Sequence, residues 1–256
     1  MTTDGRPPVT GAAAPSSGPG TRGHRAQSHV VGVALLLGIT VVSMGALTAA
    51  IGAVVDSSST QADAERVVSD LDASLEPVAA TGPQRGQVTF GEGTLRPVDR
   101  ELEVRANGQP VDRIAVDALV FDGGDRRVAY HAGAIVRGTG EGAWMAEPPP
   151  ITADEDVLVV GVARLGDDVG TVSGSGGVTA TVETDVSHDR RALGDAEFAV
   201  AVETTAPGAW ERAFRDLGAT VEREDGDPGT VVATFEGERT GYLVVHDLNA
   251  EVSGGG

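Results

Sequence analysis

Few residues that commonly carry chemistry are spaced to perform it in this chain. The five histidines are His24, His29, His131, His188 and His246, and none lies at the i,i+4 spacing or in the H-E-x-x-H frame that puts two imidazoles on one metal. His246 and Asp247 adjoin in a strand-like run, so their side chains are expected on opposite faces and both read as structural. The chain has no cysteine, which excludes disulfides, thiol nucleophiles and Cys-ligated zinc or iron–sulfur centres. Ser173 and Ser175 lie in GTVSGSGG, which misses the G-x-S-x-G spacing and lacks the strand-to-helix turn of a nucleophile elbow. The same stretch lacks the Lys-Ser/Thr end of a phosphate loop, so a linker is the better reading. Glu222, Glu224, Asp225 and Asp227 gather around Gly226. Hard carboxylate oxygens at such spacing could hold Ca²⁺, although the order is not that of an EF-hand; the plain alternative is a solvated hairpin tip. The expectation is a protein that is not an enzyme and uses no cofactor.

Composition narrows the partners. All 19 basic residues are arginine, set against 38 acidic ones, for a formal net charge of −19. Binding to phosphate backbones needs a clustered basic face, and none is visible in the sequence, so nucleic acid is not an expected partner. An evenly acidic, lysine-free surface holds water and ions when salt has shortened the screening length to a few Å, which points to a salt-loving, halophilic source.

The longest apolar run must position whatever the chain does. From Val30 to Val55 there are 26 residues without a charge. As a helix they would span about 39 Å, enough to cross a ~30 Å hydrocarbon core with tilt. Arg22 and Arg25 precede the run, and Asp56 and Asp63 follow it. The positive-inside bias then leaves the N-terminus cytoplasmic and the C-terminal domain extracellular. Residues 1–25, rich in Gly, Pro, Ser and Thr, cannot bury a core and read as a leader. Gly38, Gly45 and Gly52 recur every seven residues and mark a stripe along which another helix could approach. Beyond the run, Ala64, Val67, Val68, Leu71 and Leu75 keep a 3.6-residue period up to Pro77, predicting an amphipathic continuation to Glu76.

The segment RAQSHVVGVALLLGITVV resembles the N-terminal segment of haloarchaeal type IV pilins and pilin-like proteins, with Ser28-His29 where that family commonly has Ser-Pro. The resemblance implies cleavage by a prepilin peptidase at the bond between Arg25 and Ala26, retention of the apolar helix, and packing against other pilin-like subunits. It implies a pilin-like subunit, of the minor kind, of an archaeal type IV pilus-like surface filament or envelope complex. The alternative is a single-pass membrane-anchored binding or adhesion domain that does not assemble.

The remainder, residues 77–256, reads as an extracellular β-rich domain. Strands are predicted at Gln87–Phe90, Leu102–Ala106, Val111–Val116, Arg127–Tyr130, Leu158–Ala163, Val178–Val186, Phe198–Glu203, Val231–Phe235 and Tyr242–Val245. Asn107-Gly108 is a hairpin turn signal. The Gly/Ser stretch from Val169 to Gly177 reads as an exposed loop, with a subdomain boundary near 165–177. One helix is expected from Pro207, with Trp210, Ala213, Phe214 and Leu217 on its core face and Gly218 closing it. The class expected is α+β: a long N-terminal transmembrane helix followed by a mostly antiparallel, β-sandwich-like head with one short helix.

Overall fold

A computed structural model describes residues 24–76 and 81–255, with side chains for 35–50, 60–76 and 81–255. The chain divides into two units, Met1–Val54 and Val55–Gly256. Helix α1 is assigned over His24–Ser74. The strands are β1 (Gly82–Val98), β2 (Glu101–Ala106), β3 (Gln109–Ala115), β4 (Ala118–Gly123), β5 (Arg126–His131), β6 (Ala134–Arg137), β7 (Trp144–Glu147), β8 (Ile151–Ala153) and β9 (Val157–Arg164). After β10 (Val172–Thr204) come helix α2 (Pro207–Asp216), β11 (Thr220–Glu224), β12 (Gly229–Asp247) and β13 (Glu251–Gly254).

The α+β class built around a transmembrane helix is corrected. Among the residues with described side chains, strand makes up 59% against 21% helix, so this part of the protein is mostly β. Among the described residues no helix is long and apolar enough to cross a membrane. The sequence reading counted Val30 to Val55 in full. The side chains of residues 30–34 and 51–59, which include both ends of this run, lie outside the described residues.

In the second unit the strands form one hydrogen-bonded path, β7-β6-β5-β4-β1-β10-β12-β9-β8. Strand β10 gives it two halves. Up to Val186 it pairs with β1 and β13; from Ser187 it pairs with β12, and Leu102–Ala106 of β2 joins its last part. Every ladder between these strands is antiparallel except β12 with β9. Alternation explains the first half of β10: Ala180, Val182, Thr184 and Val186 are buried and the intervening residues are not.

Two cores follow. The periodic residues of α1, Ala64, Val67, Leu71 and Leu75, are buried against Val88, Phe90, Phe121 and Tyr130 of the first half. The Tyr130 hydroxyl donates to the Leu75 carbonyl at 2.9 Å. The polar side of this helix segment also contributes: Asp70 accepts from the Thr89 N–H at 2.9 Å and Asp63 from the Gly91 N–H at 2.8 Å. These two carboxylates satisfy strand donors beside an irregularity in the β1–β10 ladder. On the second half, Trp210 and Phe214 of α2 are buried with Val160, Phe198 and Phe235. Pro207 opens α2 and Gly218, at φ +82°, follows its end, as the sequence predicts.

The predicted strands lie inside the observed ones, except that β3 stops at Ala115. The turn at Asn107-Gly108 has both residues at positive φ (51° and 75°), the requirement of the type I′ hairpin. The Val169–Gly177 loop is corrected in part: from Val172 the chain is already β10, pairing Ser173 with Thr94 and Ser175 with Glu92. Gly176 and Gly177, both at positive φ, fall where the register shifts between Phe90 and Glu92. The glycines that suggest a linker thus form a bulge within a paired strand.

Candidate functional site

The N-terminal features come first. Residues 1–23 of the predicted leader lie outside the described residues, as do the side chains of Arg25 and Ala26 and the surroundings of Gly52. From 35 to 50 the helix is apolar all round. Leu35, Leu36, Leu37, Ile39, Val41, Val42, Met44 and Leu47 each expose more than 60% of their surface. The hydroxyls of Thr40 and Thr48 donate back to the carbonyls of Leu36 and Met44, at 2.7 and 2.9 Å, so these two polar groups are satisfied within the helix. A Cβ added at Gly38 or Gly45 would meet nothing within 4 Å, so each leaves an open notch. A helical surface of this kind requires apolar cover.

In the second unit the acidic segment separates into two roles. Glu224 ends β11 and is held by both terminal nitrogens of Arg105, at 2.8 and 3.3 Å. Those hydrogen bonds keep its carboxyl below the usual range. Burial pushes the neighbouring Glu103 up, but hydrogen bonds from Arg105 and Arg113 outweigh it and hold that carboxyl down. Arg223 binds both Glu211 and Glu141, tying β11 to α2. Glu222, Asp225 and Asp227 remain exposed and, among the described residues, have no arginine partner. No group of three or more His, Cys, Asp or Glu that could hold a metal occurs among the described residues. The four carboxylates considered for calcium therefore do not converge, because Glu224 turns to Arg105.

The sequence did not reveal two clefts that share Trp144. One, of about 510 Å³, is lined by Arg126, Arg127 and Arg137 with Gln61 and Glu65. The other, of about 380 Å³, is mostly apolar, with Met145, Pro148, Pro149 and Leu217 in its walls beside Arg212 and Asp216. Trp144 is 49% exposed and the Arg137 guanidinium lies 5.0 Å from its ring centroid, within cation–π range.

The histidines also fall into place. His131 on β5 is buried edge-on to Trp210, ring centroids 5.3 Å apart, and its Nε2 has no hydrogen-bond partner among the described residues. Burial, with the nearby Arg100 charge adding to it, lowers its pKa to about 3, so the ring is neutral. His188 and His246 are paired across β10 and β12, with their Nδ1 atoms 2.9 Å apart. One ring therefore donates and the other accepts. Only strand register brings these two together.

The chain belongs to DUF7289, a family of unknown function, whose family model matches residues 25–251. No curated protein and no solved structure matches the chain. The family match does not support a pilin identity for the chain, and it is consistent with an uncharacterised family.

Proposed function

We propose that this member of the family is a non-enzymatic, pilin-like surface subunit, cut by a prepilin peptidase between Arg25 and Ala26 and assembled through its apolar helical segment. The observation that carries the reading is the all-round apolar surface of residues 35–50, with eight large side chains uncovered. Equivalent segments of other subunits supply the cover that surface needs, and the open positions at Gly38 and Gly45 let them approach closely. The start of the family match at residue 25 also supports it, since residues 1–24 fall outside the shared region, as a disposable leader would.

In this reading the β unit faces outward at the cell surface, and its carboxylates keep it hydrated at high salt. The part of α1 after Val55 docks on β1 through Val67, Leu71 and Leu75, giving that unit a rigid helical edge. The chemistry is packing. Comparing the chain from cells with and without the prepilin peptidase tests the proposal. Loss of residues 1–25 only where the peptidase is present is expected; an identical full-length chain in both overturns it.

A further inference from the structure

We propose that the arginine cleft formed by Arg126, Arg127 and Arg137 receives the acidic tip between β11 and β12 of a second copy of this chain. The inference rests on the subunit reading above and names one contact through which subunits would meet.

Charge carries the argument. In a chain of net charge −19, this cleft sets three guanidinium groups against two carboxylates, Glu65 and Asp125. Arg137 stacks on Trp144 and has no carboxylate partner among the described residues. Among the described residues the ion pair of Arg126 is with Asp125, at 3.5 Å, and that of Arg127 with Asp122, at 3.6 Å; Asp122 also serves Arg96, at 3.2 Å. Each guanidinium offers five N–H donors, so among the described residues most of the donors facing the cleft lack an anionic acceptor. A second copy supplies such an acceptor. Its tip presents Asp225 and Asp227 around Gly226, which adds no side-chain bulk, with Glu222 just before it on β11; all three are exposed and, among the described residues, without arginine partners. The cleft, at about 510 Å³, has room for several short acidic side chains. Arg–carboxylate pairs formed in a partly enclosed cleft are screened less by salt than pairs on an open surface. The two surfaces differ, so the contact is heterologous and can extend from copy to copy.

The absence of cysteine provides a clean test, because any disulfide must come from introduced thiols. Full-length Gln61→Cys and Asp225→Cys copies, carrying different tags, are produced in the same cells and mildly oxidised. A disulfide-linked heterodimer is expected from the pair and none from either variant alone. Adding Arg126→Glu with Arg137→Glu to the first copy should lower the yield at least about tenfold. Adding Asp225→Arg with Asp227→Arg to a copy carrying its cysteine at Glu222 instead should do the same, and joining the two charge-reversed copies should restore the dimer. No dimer, a dimer indifferent to these charges, or no restoration overturns the proposal. The N-terminus is read in the same preparation: a chain starting at Ala26 without a dimer overturns this contact alone. A chain starting at Met1 with a charge-dependent dimer overturns the processing and leaves the contact standing.

Discussion

Lowering the pH from about 7.5 to about 5 is expected to destabilise the β unit through His131, before most carboxylates titrate. The side chain is buried beside Trp210, and its pKa falls from 6.5 to about 3 on folding, because burial and then the Arg100 charge disfavour the imidazolium. The unfolded chain therefore takes up a proton below about pH 6.5 that the folded chain refuses until about pH 3. The contribution is present in full above the unfolded value and is lost as pH falls towards the folded one. Each pH unit in that window costs about 1.4 kcal/mol, so the loss at about pH 5 is about 2 kcal/mol. Urea unfolding of full-length protein in detergent at fixed salt, followed by tryptophan fluorescence, reads it directly. A His131→Leu variant fills the same apolar site without a titrating group. Its unfolding free energy should fall less than that of the parent over this range, by about 2 kcal/mol. Parallel pH profiles for the two proteins would refute the reasoning.

Leu71→Ala should lower the unfolding free energy by about 2–5 kcal/mol in the same urea assay, since a fully buried side chain in the helix–sheet core leaves a cavity. Gly241→Ala places a methyl against the Phe198 ring and should cost about 1–3 kcal/mol, whereas Gly108→Ala strains only an open turn and should cost less. Tyr130→Phe removes the hydrogen bond to the Leu75 carbonyl and should cost about 1 kcal/mol, with faster amide exchange at the end of α1. Calcium is expected to leave the calorimetric unfolding temperature unchanged, because Glu224 is engaged by Arg105 and no carboxylate group converges among the described residues; a raised temperature contradicts this.

Legibility followed the range of the interactions. The period of Ala64, Val67, Leu71 and Leu75 placed the buried face of α1, and Asn107-Gly108 placed its hairpin, because each signal lies within a few consecutive residues. Pro207, Trp210, Phe214 and Gly218 likewise wrote out α2 and its core contact. No strand is predicted at β4, β6, β7, β8, β11 or β13; β6, β7 and β8 have too few residues for readable alternation, and Trp144 on β7 goes unplaced with them, while β4 is a short run buried on both faces. The glycines at 176 and 177 suggested a flexible loop because composition does not distinguish a linker from a bulge whose partner strand lies some 85 residues away. The same limit hid the arginine cleft and the His188–His246 pair. Arg126, Arg127 and Arg137 meet Gln61 only through the packing of α1 on the sheet, and the two histidines meet only through the β10–β12 register. The acidic segment was visible as composition, but the turn of Glu224 towards Arg105 depended on β2 lying within reach.

The N-terminal residue of the protein as it stands in cells tests the central claim most directly. Its α-amino group is labelled before digestion, because trypsin cuts after Arg25 and would mimic the processed end, and the labelled peptide is identified by mass spectrometry. The account predicts a label on Ala26, lost in an Arg25→Asp variant and in cells without the prepilin peptidase. A label on Met1, or at any residue beyond the apolar run, contradicts it.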